Sequence, residues 1–340
     1  KFDPSARKEY IHLESERFFN AQKLGEIAFA ETGEKLVVVA ARAGDPLTER
    51  SGKKAQYEIG KIILKTEDAG AGIFIFYDKR GAFRFSLIYP QPIGNKRIWS
   101  NFRRFTYFVS TELANKTFLQ QIGGADFETF EKIREAFSLS KVTNDFYREF
   151  YPHFDALAQS VKTQINQTSL FENRQNFVLI FVIRVIFLGF IQKRGWLGND
   201  KIFLHNFLQE YENKHLPRDT FYFRWLEPLF FEALNSPPGA KVAYRANDFS
   251  GQTEKALQMA PFLNGGLFQR NDLDKNGYYI PDSEIKLFFD FLFSYNFTIE
   301  ENTLYDEDLE LSPEFLGIIF ERLVNKENGA IYTPRVAVDF

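Results

Sequence analysis

The run from Lys96 to Phe108, KRIWSNFRRFTYF, interleaves cations with aromatic rings. Nucleic-acid surfaces use that mixture, with ammonium and guanidinium groups meeting phosphates while rings stack or give support. Alternating aromatics are also how a half-buried strand fills its core face. The two readings combine if the rings are mostly core and Lys96, Arg97, Arg103 and Arg104 stay available to phosphate. Lys53 and Lys54, at the start of an expected helix, are a second pair of candidate DNA contacts. The surroundings agree with this. Between Lys79 and Thr111 there are seven basic residues and no acidic one, whereas between Ile299 and Phe320 there are seven acidic residues and no basic one. With a net charge of only −3, this asymmetry predicts an anion-facing surface on the first part of the chain. The acidic run 302–310 reads most simply as a solvated loop.

Metal chemistry finds less support. A nuclease of the PD-(D/E)xK kind needs carboxylates to hold Mg2+ and a lysine at the end of one strand. The strand expected over 36–42 offers Ala40 and Arg42 at those places, with Asp45, Glu49 and Glu58 nearby but off pattern. The pattern predicts a degenerate, non-cleaving scaffold, and Mg2+ enters only under the nuclease alternative. Asp272-Leu273-Asp274-Lys275-Asn276-Gly277 imitates the start of a calcium loop, yet Ser283 stands at the twelfth position, where a bidentate carboxylate is required. It reads as a polar turn. Four scattered histidines show no ligand spacing, and the absence of cysteine removes disulfides, thiolate zinc sites and cysteine nucleophiles. The first residues lack a basic-then-apolar leader layout, so a cytoplasmic setting is expected. The apolar run Phe177–Ile191 is 15 residues long with Arg184 near its centre. That is short of the roughly 20 residues of a membrane span, so it reads as a core helix and no membrane partner is expected.

These groups must be positioned by two kinds of architecture. The length suggests about two domains, and 40 phenylalanines against one methionine imply large, rigid aromatic cores. Residues 1–140 read as mixed α and β. Strands at 24–30 and 35–42 form a hairpin, and a helix spans 50–65. Strands at 72–77 and 82–89 form a second hairpin across Asp78-Lys79-Arg80-Gly81. Another strand covers 104–110, and Asp126 is the expected N-cap of the next helix. From 141 to 327 the pattern is mostly helical. Helices are expected at 142–151 and 154–165, separated at Pro152, then at 173–194, 202–212, 221–234 and 283–293, while 241–248 is ambiguous. A last helix at 315–324 is introduced by Ser312-Pro313-Glu314. The expected fold class is α+β: a mixed α/β domain, nuclease-like in layout, then a helical connector.

Four strings carry a family resemblance. Phe187–Leu197, FLGFIQKRGWL, is similar to a "FLYFLQKKGWL" helix end. Pro261–Phe268, PFLNGGLF, is similar to a "PYLNGGLF" turn. FTIEEN at 297–302 followed by LSPEFLGIIFE at 311–321 looks like the approach to a methyltransferase domain. Gly329-Ala330-Ile331-Tyr332-Thr333-Pro334-Arg335 resembles the opening motif of N6-adenine DNA methyltransferases. In this order and spacing they resemble the large single-chain bacterial restriction–modification enzymes of type IIG and relatives, well over 142–340 and loosely before that.

The resemblance implies that 328–340 begins a methyltransferase domain. Tyr332, Thr333 and Pro334 would line the S-adenosylmethionine pocket of the intact protein, a role suited to a threonine hydroxyl and a fixed proline backbone. The family's Asp-Pro-x-x-Gly-x-Gly and Asn-Pro-Pro-Tyr/Phe motifs are not in these 340 residues, and Asn235-Ser236-Pro237-Pro238 is only an echo. No catalytic residue is therefore assigned. The expectation is the N-terminal part of a site-specific adenine-N6 DNA methyltransferase of a restriction–modification or phage-defence system. Double-stranded DNA and a restriction or specificity partner or domain would be its partners. Two alternatives stay open: a non-enzymatic DNA-binding or assembly module, and a metal-dependent nuclease.

Overall fold

The computed structural model describes residues 2–13, 15–29, 33–93, 96–163, 173–237, 248–299 and 306–328. In chain order they form β1 (Phe2–Ile11), β2 (Phe18–Ala28), β3 (Lys35–Ala43), α1 (Lys53–Thr66), β4 (Ala71–Tyr77), β5 (Phe83–Ile93), β6 (Lys96–Val109), α2 (Lys116–Gly123), α3 (Phe130–Ala136) and α4 (Leu139–Ser160). There follow β7 (Lys162–Thr163), α5 (Arg174–Lys193), α6 (Phe203–Asn213), two π-helical segments (Tyr222–Leu226 and Pro228–Ala233), α7 (Gly251–Met259), α8 (Asp272–Lys275), β8 (Tyr278–Tyr279), α9 (Asp282–Leu292), β9 (Asp306–Asp308) and α10 (Pro313–Asn328). The fold is α+β. It divides into two compact units, 1–145 with 294–311, and 146–293 with 312–340.

The first unit is built on a seven-stranded sheet in the order β1-β2-β3-β4-β5-β6-β9. The expected hairpins are present as the antiparallel pairs β2–β3 and β4–β5. Asp78 closes the second turn by accepting from the Arg80 and Ala82 amides at 2.7 and 3.0 Å, and Gly81 supplies the positive φ of 89°. β3 and β4 are parallel, joined through α1. Strand alternation sends Val37, Val39, Phe74, Phe76, Phe102 and Phe108 to the face covered by Ile59, Ile63 and Leu64 of α1. Burying each of these side chains fully stabilises the fold by about 1.5–3 kcal/mol. α1 lies close because Gly60 has no side chain: a Cβ there would sit 2.3 Å from Ile88 Cδ1. The opposite face packs Leu36, Ile73, Leu87, Tyr89, Phe105 and Tyr107 against α2, α3 and the start of α4.

Three expectations are corrected here. Thr129, not Asp126, caps α3, its Oγ1 accepting from the Lys132 amide at 3.2 Å. Asp126 instead accepts from the Glu128 amide and the Lys132 ammonium. Pro152 does not separate two helices, because α4 runs through it. Phe146, Phe150, Phe154 and Leu157 form one buried stripe on both sides of the proline, and that packing outweighs the lost hydrogen bond. The acidic run is not simply a loop, since Asp306–Asp308 pairs in parallel with β6 as an edge strand. Residues 302–305 of that run, and most of the ambiguous stretch 241–248, lie outside the described residues.

The second unit is helical around an aromatic core, with contacts such as Phe207–Trp225 at 4.8 Å and Phe146–Phe315 at 4.9 Å. The expected helix over 221–234 is present but π-wound. Pro228 cannot donate an amide hydrogen, and the Glu227 and Leu234 amides reach back five residues to Tyr222 and Leu229 carbonyls. α5 is long and apolar enough, by length and composition, to cross a membrane, and 78% of its most apolar 18-residue window is buried inside the structure. Its Arg184 is neutralised by Asp274, with Nη1–Oδ1 at 2.7 Å and Nη2–Oδ2 at 2.8 Å. The carboxylate that imitated a calcium ligand is therefore a buried ion-pair partner.

Candidate nucleic-acid interface

The basic stretch of the sequence is mostly β5 and β6, and their register decides which cations meet what. Arg84 lies opposite Phe108, Ser86 opposite Thr106, and Ile88 opposite Arg104. Alternation turns this set toward α1, so polar residues share a face with a hydrophobic layer. β9 then places Asp306 beside Arg104 and Asp308 beside Thr106. Arg104, fully buried, forks onto Asp306 with Nε–Oδ1 at 2.9 Å and Nη2–Oδ2 at 2.8 Å. Its Nη1 donates to Gln56 Oε1 at 2.8 Å. Ser86 Oγ and Thr106 Oγ1 are hydrogen-bonded at 2.6 Å, either hydroxyl being able to donate. Lys53, on the first turn of α1, donates to Asp308 Oδ2.

Arg84 is also fully buried. Its Nη2 donates to the Thr48 and Glu49 carbonyls, its guanidinium lies 4.9 Å over the Phe108 ring, and Nη1 is 3.6 Å from Asp308 Oδ1. Burial lowers its pKa, and the nearby Asp308 carboxylate opposes that shift. Arg84 and Arg104 of the basic run are thus neutralised by Asp308 and Asp306 of the acidic run inside one sheet.

This changes the assignment of candidate phosphate contacts. Arg103 and Arg104 are consecutive, so the sheet turns them to opposite faces. Arg104 and Lys53 take part in the internal ion-pair layer with Asp306 and Asp308. Arg103 pairs with Glu307 and lies 4.8 Å over the Phe105 ring, with its side chain 27% exposed. Lys54 is exposed on the first turn of α1. Lys96 and Arg97 pair through their backbones with Ile93 and Pro92, while their side chains lie outside the described residues. So do Tyr332, Thr333 and Pro334.

An open cationic edge lies elsewhere. Because β3 and β4 are parallel, the loops that follow them emerge at the same end of the sheet. The Leu47 amide ties the two loops together by donating to Asp78 Oδ2 at 2.7 Å. Arg50, Lys54, Lys79 and Arg80 are exposed in these loops and on the α1 turn that begins there. The first turn of α1 has no acidic residue, so its dipole adds to the positive field. Asp45 is exposed nearby, and Glu49 accepts from Asn296 Nδ2 at 3.2 Å. Glu58 pairs with Lys61. Among the described residues no three of His, Cys, Asp and Glu gather as a metal site.

Sequence reading missed Arg84 and Gln56 as members of the ion-pair layer. A signal existed: Arg84-x-Ser86 and Arg104-x-Thr106 repeat a polar pair with period two inside apolar strands. Nothing local indicated that Asp306 and Asp308 would complete it.

No family model matches the chain, and no solved structure matches it. A protein of Methanocaldococcus jannaschii described as a putative type II restriction enzyme and methyltransferase is 31% identical over 172 residues. That similarity takes in 48% of this chain and 14% of that protein, so the chain spans only a small part of its relative's length. Over about half its length, then, the chain is similar to a restriction–modification protein.

Proposed function

We propose that this chain is a DNA-handling portion of a larger restriction–modification protein that methylates adenine at N6 using S-adenosylmethionine. The carrying observation is the 31% identity over 172 residues to a protein described as both restriction enzyme and methyltransferase. The order of the four motif strings toward Tyr332-Thr333-Pro334 supports the adenine-N6 reading. In this reading the first unit meets double-stranded DNA through the edge bearing Arg50, Lys54, Lys79 and Arg80, with Lys96 and Arg97 as further phosphate contacts. The second unit connects it to the methyltransferase part. Such contacts are electrostatic and position the protein without reading sequence.

The test is duplex binding by fluorescence anisotropy across a salt series. With about three phosphates contacted, the slope of log affinity against log salt is about −3, at roughly 0.9 per contact. Replacing Lys54 and Arg80 together by alanine flattens the slope by up to about 2 and weakens binding to any sequence alike. Both side chains are exposed, so the melting temperature stays unchanged. Absence of salt-dependent binding by the wild-type chain overturns the reading. Unchanged affinity and slope in the double variant removes this edge from it.

A further inference from the structure

The sheet face opposite α1 carries a cleft of about 430 Å³, walled by β5, β6 and β9 on one side and by α3 with the start of α4 on the other. Its floor is aromatic. Tyr89 and Phe105 stack with ring centroids 5.8 Å apart and planes 12° from parallel. Each ring is covered by a guanidinium: Arg134 of α3 lies 5.3 Å over Tyr89, and Arg103 lies 4.8 Å over Phe105. Two flat cations thus line the cleft, supported from beneath by rings. Glu131 and Glu135, exposed on α3, also line it.

Each part of this lining selects for a ligand type. A guanidinium plane held against a ring offers its other face to a flat, polarisable group, as arginine does for unstacked bases. Carboxylates accept from the exocyclic amino and ring N–H groups of a base edge. Arg134 is exposed and has no ion pair among the described residues, so it can meet an anion. The volume lies at the small end of ligand sites, roughly 300–1,000 Å³. Two arginines against Glu131, Glu135 and Glu307 leave the lining with one carboxylate in excess, which disfavours a duplex backbone and leaves Arg134 as the point where a single phosphate is met.

We propose that this cleft binds a single nucleotide, its base lying against the guanidinium planes and its phosphate drawn to Arg134. The site is on a sheet face, separate from the cationic edge assigned to duplex DNA, and either can fail without the other. The nucleotide comes from one of two sources, a free nucleoside monophosphate or an unpaired residue of a DNA strand.

Titration calorimetry with the four deoxynucleoside monophosphates, a single-stranded 12-mer, and a duplex carrying one unpaired nucleotide separates these sources. The expected result is saturable binding of at least one probe, weakened tenfold or more by Arg134→Ala at unchanged melting temperature. Arg134→Lys, which keeps the charge but loses the plane, is expected not to restore it, and Lys54→Ala with Arg80→Ala to leave it intact. Binding of monophosphates alone assigns a free nucleotide, and binding of the unpaired-base duplex or 12-mer alone assigns a DNA strand. No binding of any probe to the wild type, or wild-type binding by folded Arg134→Ala and Arg103→Ala variants, overturns the proposal.

Discussion

Arg103 and Arg104 show how much one position along a strand decides. Their side chains are chemically identical, yet one is partly exposed beside Glu307 and the other is fully buried on Asp306 and Gln56. Removing Arg104 leaves the Gln56 carbonyl oxygen buried without its donor and Asp306 without its fork. Arg104→Ala is expected to lower unfolding stability by about 2–3 kcal/mol, less than for a wholly buried pair because Asp306 is partly exposed. Arg104→Lys is expected to recover only part of this, since an ammonium cannot reproduce the bidentate geometry. Urea denaturation measures both. Arg103→Ala serves as comparison, with an expected loss of about 1 kcal/mol or less for a partly exposed pair. Equal losses at the two positions would contradict the two-faced arrangement.

At the scale of elements, α4 accepts a proline that its packing outweighs. Interior proline costs a helix about 3 kcal/mol through the missing amide and the crowding of the preceding turn. Pro152→Ala is expected to raise stability by about 1–2 kcal/mol, the gain being reduced by the freer unfolded chain. Thermal unfolding checks it, and a lower melting temperature would show that the proline ring itself packs productively. The contact between β6 and α3 carries a pH dependence. Tyr107 is buried and donates to the Ala136 carbonyl at 2.6 Å, and burial pushes its pKa well above the usual tyrosine range. Folded Tyr107 keeps its proton where unfolded tyrosine loses it, so this contribution is complete below about pH 10 and is lost as pH rises beyond it. Tyr107→Phe is expected to cost about 1 kcal/mol at neutral pH. The gap from wild type should narrow above pH 10 in denaturation curves measured from pH 8 to 11.

For the whole molecule, the two units divide what was one linear reading. Ser294–Leu311 belongs to the first unit although the residues before and after it belong to the second. The proposed methyl transfer lies beyond what these 340 residues carry by motif. The purified chain incubated with labelled S-adenosylmethionine and adenine-containing DNA is expected to leave the DNA unlabelled. Labelling that persists after removal of copurifying enzymes would place the catalytic groups inside this chain.

The sequence by itself determined what depends on neighbours along the chain. The β2–β3 and β4–β5 hairpins follow from alternation and turn chemistry, and α5 and α9 from their apolar-rich patterns. The segment read as a polar turn at 272–277 instead opens with the one-turn helix α8, capped locally by Asn271, while the pairing of its Asp274 with Arg184 was decided only by the tertiary structure. The candidate site was legible only as two oppositely charged runs. Which cations face solvent depended on strand register, since a shift of one residue would exchange the fates of Arg103 and Arg104. Asp306 and Asp308 reach Arg104, Arg84 and Lys53 across 202 to 255 residues of sequence. Coulomb attraction acts through distance in space and through the local dielectric, and neither quantity exists until the chain has folded.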